Sequence, residues 1–427
     1  MVILSTLAAL ALTAAPATPP EELPLADALA ELERANPSLA QARARADEAD
    51  AAVRQAWSPL LPNLSAQGTW LKNSDDAALK LPALIAPPSG REVVLQPDHS
   101  LTVQGQARLA LLAPSAWFDV AAAGGAARAS GASAEAARRN ARAAFTQAAH
   151  AARAAEELVA ASEAAVKNAA DLEGIASRKV AAGTAAPLDR LRAETERVKR
   201  ESDLAQARAN LGRARLALGV LLGRRTPVRV VVPEPAAAAG PGAGDLAAAA
   251  LAARPELQAS RAQVEAAENQ VRSAWARVAP TVSASGALFA SDTAYPTGEK
   301  NGWRATVDLT WALYDGGFRY GKRDEARARL ASARAGEEAQ RLAVVQEVED
   351  AARDVDVAVE RLRLAEAQRR LTGDAAGTAK RGFEAGVASS LDVIDANDRL
   401  YLADVGLADA RARLAQARVA LDRAAGR

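Results

Sequence analysis

Cysteine is absent from the 427 residues. That excludes a disulfide framework, a thiolate metal site and a lipid-modified cysteine at a mature N-terminus. Histidine occurs only as His99 and His150, in different segments, and Met1 is the only methionine, so a metal relay has no ligands to build on. Aromatic residues make up only 4% of the chain although hydrophobic residues reach 50%, with alanine supplying much of the excess. A compact globular core uses larger side chains, so this balance points to long helices packed closely together. Charge of one sign is also missing: 53 basic and 52 acidic residues are interspersed, with no basic stripe of the kind that binds nucleic acid. No phosphate loop and no nucleophile constellation appears, so the chain reads as a non-enzyme without a cofactor. Gly124-Gly125, near the start of an expected helix, reads as a strand-to-helix transition rather than a phosphate cradle.

Long apolar runs are scarce too. Val2 to Leu12 is apolar, and Ala15-Pro16-Ala17 supplies a small-x-small pattern, so residues 1–17 read as a secretory signal cleaved after Ala17. No Lys or Arg precedes the apolar stretch, and a buried N-terminal helix is the alternative. The polar segment Thr18 to Glu22 that follows favours the signal. Beyond it no apolar run of about 18 residues occurs, so no spanning helix is expected. An exported chain of this kind crosses a membrane only with strands.

What the sequence does have is a long-range repeat. Asn36-Pro37-Ser38-Leu39 matches Arg254-Pro255-Glu256-Leu257, and Trp57, Pro62, Ser65 and Gly68 match Trp275, Pro280, Ser283 and Gly286, each pair 218 residues apart. A second register, 203 residues apart, matches Ala182-Gly183-Thr184 with Ala385-Gly386-Val387 and Leu188-Asp189 with Leu391-Asp392. The change of spacing places an insertion in the first copy, between about 71 and 100. Such a period is too long for a solenoid and marks a duplicated unit of domain size. The chain therefore divides into 1–17, signal; 18–222, a first repeat of helices, a β-hairpin at about 63–112 and a long helical hairpin; 223–244, a Pro/Gly-rich linker; and 245–427, a second repeat with a helix, a β-hairpin at about 280–313 and a second long helical hairpin.

Proline is absent between Pro114 and Pro187 and again from Tyr314 onward, so each stretch can be continuous helix. A helix from 115 to 180 would run roughly 100 Å. Val393, Leu400, Leu407, Leu414 and Leu421 recur every seven residues, with Ala396, Ala403, Ala410, Ala417 and Ala424 three residues on. That is a coiled-coil seam with one small-residue row. Within the linker, Val228 to Val232 suits a short strand.

Four segments alternate with period two. Leu64, Ala66, Gly68 and Trp70 alternate with polar residues, as do Leu101 through Leu111, Val282 through Leu288, and Trp303, Ala305, Val307, Leu309 and Trp311. Each segment has one apolar and one polar face and approaches the 9–11 residues that cross a bilayer. Trp70, Trp303, Trp311 and Tyr314 sit near strand ends, where membrane-interface aromatics belong. A soluble four-stranded sheet accounts for the alternation equally well. Four strands cannot close a wide barrel, so a membrane reading requires oligomerisation, and three copies would give about twelve strands.

The order of elements, the two turns Ala182 to Asp189 and Ala385 to Asp392, and the junction Trp311-Ala312-Leu313-Tyr314-Asp315-Gly316-Gly317 resemble the outer membrane efflux protein family, the TolC-like ducts, over essentially the whole mature chain. The resemblance implies a mainly α fold with a small β part. Duplicated long helical hairpins would form a periplasmic α-barrel, and four strands per protomer would join a shared trimeric 12-stranded β-barrel in the outer membrane of a Gram-negative bacterium. It implies a homotrimeric channel that passively conducts solutes for a tripartite efflux or type I secretion system. Its partners would be a periplasmic adaptor protein, an inner-membrane pump of RND, ABC or MFS type, and outer-membrane lipid. The adaptor would meet the tips Gly183, Thr184, Leu188, Asp189, Gly386, Val387 and Leu391. Asp392 and Asp395 would ring the periplasmic gate. Locally, Gly183 and Gly386 suit tight helix–helix turns, and Asp189 and Asp392 equally suit the first turn of the returning helix. The copies differ at the second site, where Arg192 stands opposite Asp395 in the repeat. The competing reading is a periplasmic coiled-coil protein without a pore.

Overall fold

The computed structural model describes residues 21–81, 91–233, 243–292 and 299–427. The expected signal, 1–17, and the middle of the linker, 234–242, lie outside the described residues. The elements are β1 (Glu21–Pro24), α1 (Leu25–Ala35), α2 (Pro37–Trp57), a short 3-10 turn (Ser58–Leu60), β2 (Asn63–Lys72), β3 (Ala77–Leu81), β4 (Arg91–Gln96), β5 (His99–Leu112), α3 (Pro114–Ala181), α4 (Pro187–Leu221), β6 (Val228–Val231), α5 (Ala243–Ala253), α6 (Pro255–Ala276), β7 (Thr281–Ser291), β8 (Asn301–Thr310), α7 (Phe318–Ala385) and α8 (Ser390–Ala424). Helices dominate, with a small β part. The same lengths recur: α3 and α7 each have 68 residues, and α4 and α8 each have 35. Among the described residues no helix is long and apolar enough to cross a membrane.

Helix boundaries follow local chemistry. Proline is the first residue of α2, α3, α4 and α6, where its missing N–H would have had no helical partner. Asn36 caps α2: its side-chain oxygen accepts the N–H groups of Ser38 at 2.9 Å and Leu39 at 3.2 Å. Gly124 and Gly125 lie well inside α3 rather than at a strand-to-helix transition. The reason is packing. A Cβ on Gly125 would stand 3.0 Å from the Ala266 backbone, so the glycine lets α3 and α6 approach closely.

Two compact units emerge, and each draws on both halves of the sequence. The described residues of the helical unit fall within Met1–Gln41, Ala136–Arg254 and Val344–Arg427. Its largest core gathers Leu32, Phe145, Leu218, Leu222 and Val228, with the parallel pair β1–β6 at its edge. The strand at Val228 is the expected one; its partner β1 falls in the segment read only as polar. Along α8 the heptad seam is buried or half-buried at every position, with Val393 and Leu414 1% exposed. The strand unit comprises Ala42–Glu135 and Pro255–Ala343. Its main sheet has the order β2-β5-β7-β8, antiparallel throughout. Between β2 and β5 the first half carries the extra antiparallel pair β3–β4.

Candidate functional site

Cross-strand register decides what the main sheet presents. Leu64 pairs with Ala107, Ala107 with Gly286 and Gly286 with Ala305, while Trp70 pairs with Leu101 and Leu288 with Trp303. Because paired residues share a face, one side of all four strands is apolar. The other side carries Ser65, Gln67, Gln104, Gln106, Ser283, Ser285 and Thr306. A sheet in a soluble fold buries its apolar face. Here the opposite holds: along β5, Leu101, Val103, Gly105 and Ala107 are exposed while Ser100, Thr102, Gln104 and Gln106 are half-buried. Leu64 is 80% exposed, and Val307 and Leu288 each 70%.

Aromatic residues mark both ends of this sheet. Trp70 and Trp303, both exposed, lie toward the end shared by Lys72, His99 and Asn301. Trp311 and Tyr314 follow the opposite end of β8, and both are exposed. Trp311 donates its indole N–H to the Val278 carbonyl at 3.1 Å, which fixes the ring beside the start of β7. At that end Trp57 and Trp117 meet edge-on, their ring centroids 5.8 Å apart. All six tryptophans lie within the four strands or within six residues of their ends. Trp57, Trp117 and Trp275 were not among the expected interface aromatics, although their nearness to the alternating segments was the available signal.

In the helical unit the two expected tips are equivalent turns. Gly183 has φ +71° and Gly386 φ +84°. The N–H of Thr184 reaches the Lys179 carbonyl at 2.9 Å and that of Gly183 reaches Val180 at 3.0 Å; Val387 to Gly382 at 2.9 Å and Gly386 to Phe383 at 3.1 Å repeat the pattern. This is the Schellman ending, which uses a left-handed glycine to satisfy the last carbonyls. The returning helices are capped differently. Asp392 accepts hydrogen bonds from the Ser389 N–H and hydroxyl, both at 2.8 Å, while its own N–H donates to Ser389 Oγ, a complete capping box. At the first tip the cap consists of the Ala186 N–H donating to Asp189 at 3.3 Å, because alanine has no hydroxyl to donate to the carboxylate or to accept the Asp189 N–H.

The two tips also touch one another. The buried Ser390 hydroxyl donates to Asp189 Oδ1 at 2.5 Å. Beneath it Leu172, Ile175, Ala176, Ala193, Phe383 and Val393 form a common core. Lys179 lies 5.0 Å over the Phe383 ring and donates to the Phe383 carbonyl. Leu188, Leu391 and Val387 remain exposed around this core. Asp395 pairs with Arg399 at 3.0 Å, and Arg192 stands 3.9 Å from Asp189. Farther along α4 and α8, the buried Arg200 bridges Glu196 and Asp398 and stacks on the Tyr401 ring at 4.6 Å. Burial, reinforced by the hydrogen-bonded Asp398, pushes the Glu196 carboxyl up. Burial also penalises ionised Asp398, but the hydrogen bond from Glu196 and the Arg200 charge outweigh it and hold that carboxyl low. Nothing in the sequence separated Ser390 or Arg200 from their many surface counterparts.

Among the described residues no group of three or more His, Cys, Asp or Glu side chains is arranged to hold a metal ion. The family described as "Outer membrane efflux protein" matches residues 28–224 and 246–427. Among curated proteins none matches. Among solved structures, a membrane protein from Pseudomonas aeruginosa is 23% identical with a TM-score of 0.78, over 94% of this chain and 93% of that one. The outer membrane protein VceC from Vibrio cholerae is 20% identical with a TM-score of 0.77, over 94% and 96%. The open state of the Neisseria gonorrhoeae MtrE outer membrane channel is 19% identical with a TM-score of 0.77, over 94% and 88%. At these identities the likeness is one of fold.

Proposed function

The chain belongs to the outer membrane efflux protein family, and from that premise we propose that it is one protomer of a homotrimeric duct that passively conducts solutes across a Gram-negative outer membrane. The observation that carries this reading is the apolar face of the sheet, where Leu64, Val103, Leu288, Trp303 and Val307 stand exposed, while along β5 the polar Ser100, Thr102, Gln104 and Gln106 are half-buried. Lipid suits the first face and a water-filled lumen the second. The aromatics at both ends, Trp70 and Trp303, then Trp311 and Tyr314, suit the two membrane interfaces.

Oligomerisation follows from the edges. β2 and β8 each have a single neighbour in the sheet, and unpaired backbone groups in hydrocarbon cost several kcal/mol each, on the order of 2–7. An antiparallel order of four leaves β8 running opposite to β2, so β8 of one copy can pair with β2 of the next in an unbroken antiparallel ring. Two copies would give roughly eight strands, whose interior is filled by side chains; three give about twelve and leave a lumen.

In this reading the helical hairpins extend into the periplasm. The tips at Gly183, Thr184, Leu188, Asp189, Gly386, Val387 and Leu391 meet a periplasmic adaptor, which couples the duct to an inner-membrane pump of RND, ABC or MFS type. The exposed Leu188, Leu391 and Val387 support an apolar contact there, and Asp392 and Asp395 face the entrance as its gate. The sequence halves 18–222 and 245–427, joined by the linker 223–244, act as the two repeats, behind a signal at 1–17. Mass measurement of the detergent-extracted protein tests the assembly. A trimer found in the outer-membrane fraction is expected, and a soluble monomer in the periplasmic fraction would replace the duct with the pore-free coiled-coil reading.

A further inference from the structure

The polar face of the main sheet carries three charged residues: Arg108 on β5, and Arg304 and Asp308 on β8. Register places them close together. Arg108, Ser285 and Thr306 form one cross-strand row. Gln106, Ala287 and Arg304 form the next row on the same face. Such rows are about 6.8 Å apart along a strand, and β5 and β8, two positions apart in the sheet, are separated by about 9.6 Å. Both arginines are exposed. Arg108 donates to the Ser283 hydroxyl at 3.4 Å, an uncharged partner. Asp308 accepts from the Thr306 hydroxyl at 3.2 Å. On the strand wall, Arg108 and Arg304 stand exposed beside neutral serine, threonine and glutamine side chains, with Asp308 the one acid on the polar face of the four strands.

We propose that Arg108 and Arg304 make the strand section of the duct selective for anionic solutes, such as organic carboxylates, sulfonates and phosphates. The inference rests on the trimeric barrel described above, in which the polar face is the lumen wall. Three copies contribute six guanidinium groups and three Asp308 carboxylates to one band, a net charge of +3. A charged band inside low-dielectric walls focuses its field along the axis and raises the local concentration of counter-ions. Arginine rings favour anions in pores for this reason, and the planar guanidinium also offers paired donors to a carboxylate or phosphate. Around the arginines, Gln104, Gln106 and Thr306 add neutral hydrogen-bonding groups that do not hold a solute in place. The band can therefore select by charge without trapping what it selects.

The test is reversal potential across a KCl gradient in planar bilayers, comparing the native trimer with Arg108→Gln/Arg304→Gln. Loss of the band should lower the anion-to-cation permeability ratio about threefold, and Arg108→Lys/Arg304→Lys should restore it. The single variants R108Q and R304Q should each give part of the shift, so the prediction stands even where the double variant assembles poorly. Block of the native current by added tripolyphosphate should weaken in parallel. A conducting R108Q/R304Q trimer with the native permeability ratio would overturn this inference and leave the duct intact. A native protein that assembles no conducting trimer would overturn the duct itself.

Discussion

Asp392 was singled out in the sequence because it repeats Asp189 and shares a helix face with Asp395. Its position also suited the first turn of the returning helix, and the structure supplies the partners for that local role. Its carboxylate takes both the backbone N–H and the hydroxyl of Ser389, and these two bonds hold its carboxyl below the ordinary carboxylate value of 3.8. A depressed acid stabilises the folded form above its ordinary value and loses that contribution as pH falls through the lower, folded value. The window therefore lies below 3.8. Amide-exchange protection in the first turn of α8 should be flat near neutrality and fall in that acid window, and Asp392→Asn should remove the pH dependence. Ser389→Ala should lower protection at every pH, by about fivefold if the cap contributes about 1 kcal/mol. Equal protection in S389A and wild type would show that the capping box does not hold this turn. The acid was legible because its type and position announce a helix N-terminus. Ser390, which ties α8 to Asp189, was not, because a serine beside a capping serine looks the same whether its side chain points to water or to a neighbouring helix.

At the scale of elements, the strands, the long helices and the glycine turns were readable because each leaves a periodic or punctuating mark. Period two gave the four strands, absence of proline gave α3 and α7, and Gly183 and Gly386 gave their ends. What escaped was whatever depends on a distant partner. The short β1 acquires its meaning only from β6, and Gly125 only from Ala266. The Arg200 cluster joins α4 to α8 across 198 residues of chain. The tips combine both kinds of information. Their turns are local, but Phe383 and Val393 of the second turn pack with Leu172 and Ala193 of the first, so the two hairpins end in one shared core. Leu188 and Leu391 stand outside that core, 51% and 56% exposed. Replacing either by glutamate should therefore leave folding and trimerisation unchanged and abolish adaptor capture and export, since a charge in an apolar contact must be desolvated without a partner. Normal adaptor pull-down and export by both L188E and L391E would remove these leucines from the docking surface.

For the whole molecule, the question is what sets the resistance and selectivity of an assembled duct. Three copies bring six carboxylates of Asp392 and Asp395 to the proposed entrance, but Arg399 accompanies each Asp395 at 3.0 Å, so the net charge of that ring is −3 rather than −6. Removing both acids should still raise single-channel conductance and weaken cation preference at the entrance, because the field is focused at a constriction. Asp392 complicates that experiment, since its loss also removes a helix cap, and a frayed tip could change conductance by itself. Two further variants separate the effects. Ser389→Ala weakens the cap and keeps the charge, whereas Asp395→Ala removes charge and leaves the cap intact. If electrostatics governs the gate, D395A should shift conductance and selectivity in the same direction as D392A/D395A, and S389A should behave as wild type. Added salt should narrow the difference, because exposed charges are screened over about 10 Å at 0.1 M. The opposite pattern, with S389A conducting like the double variant and D395A like wild type, would assign the tip acids to holding the turn closed mechanically and would leave the band at Arg108 and Arg304 as the charge filter of the duct.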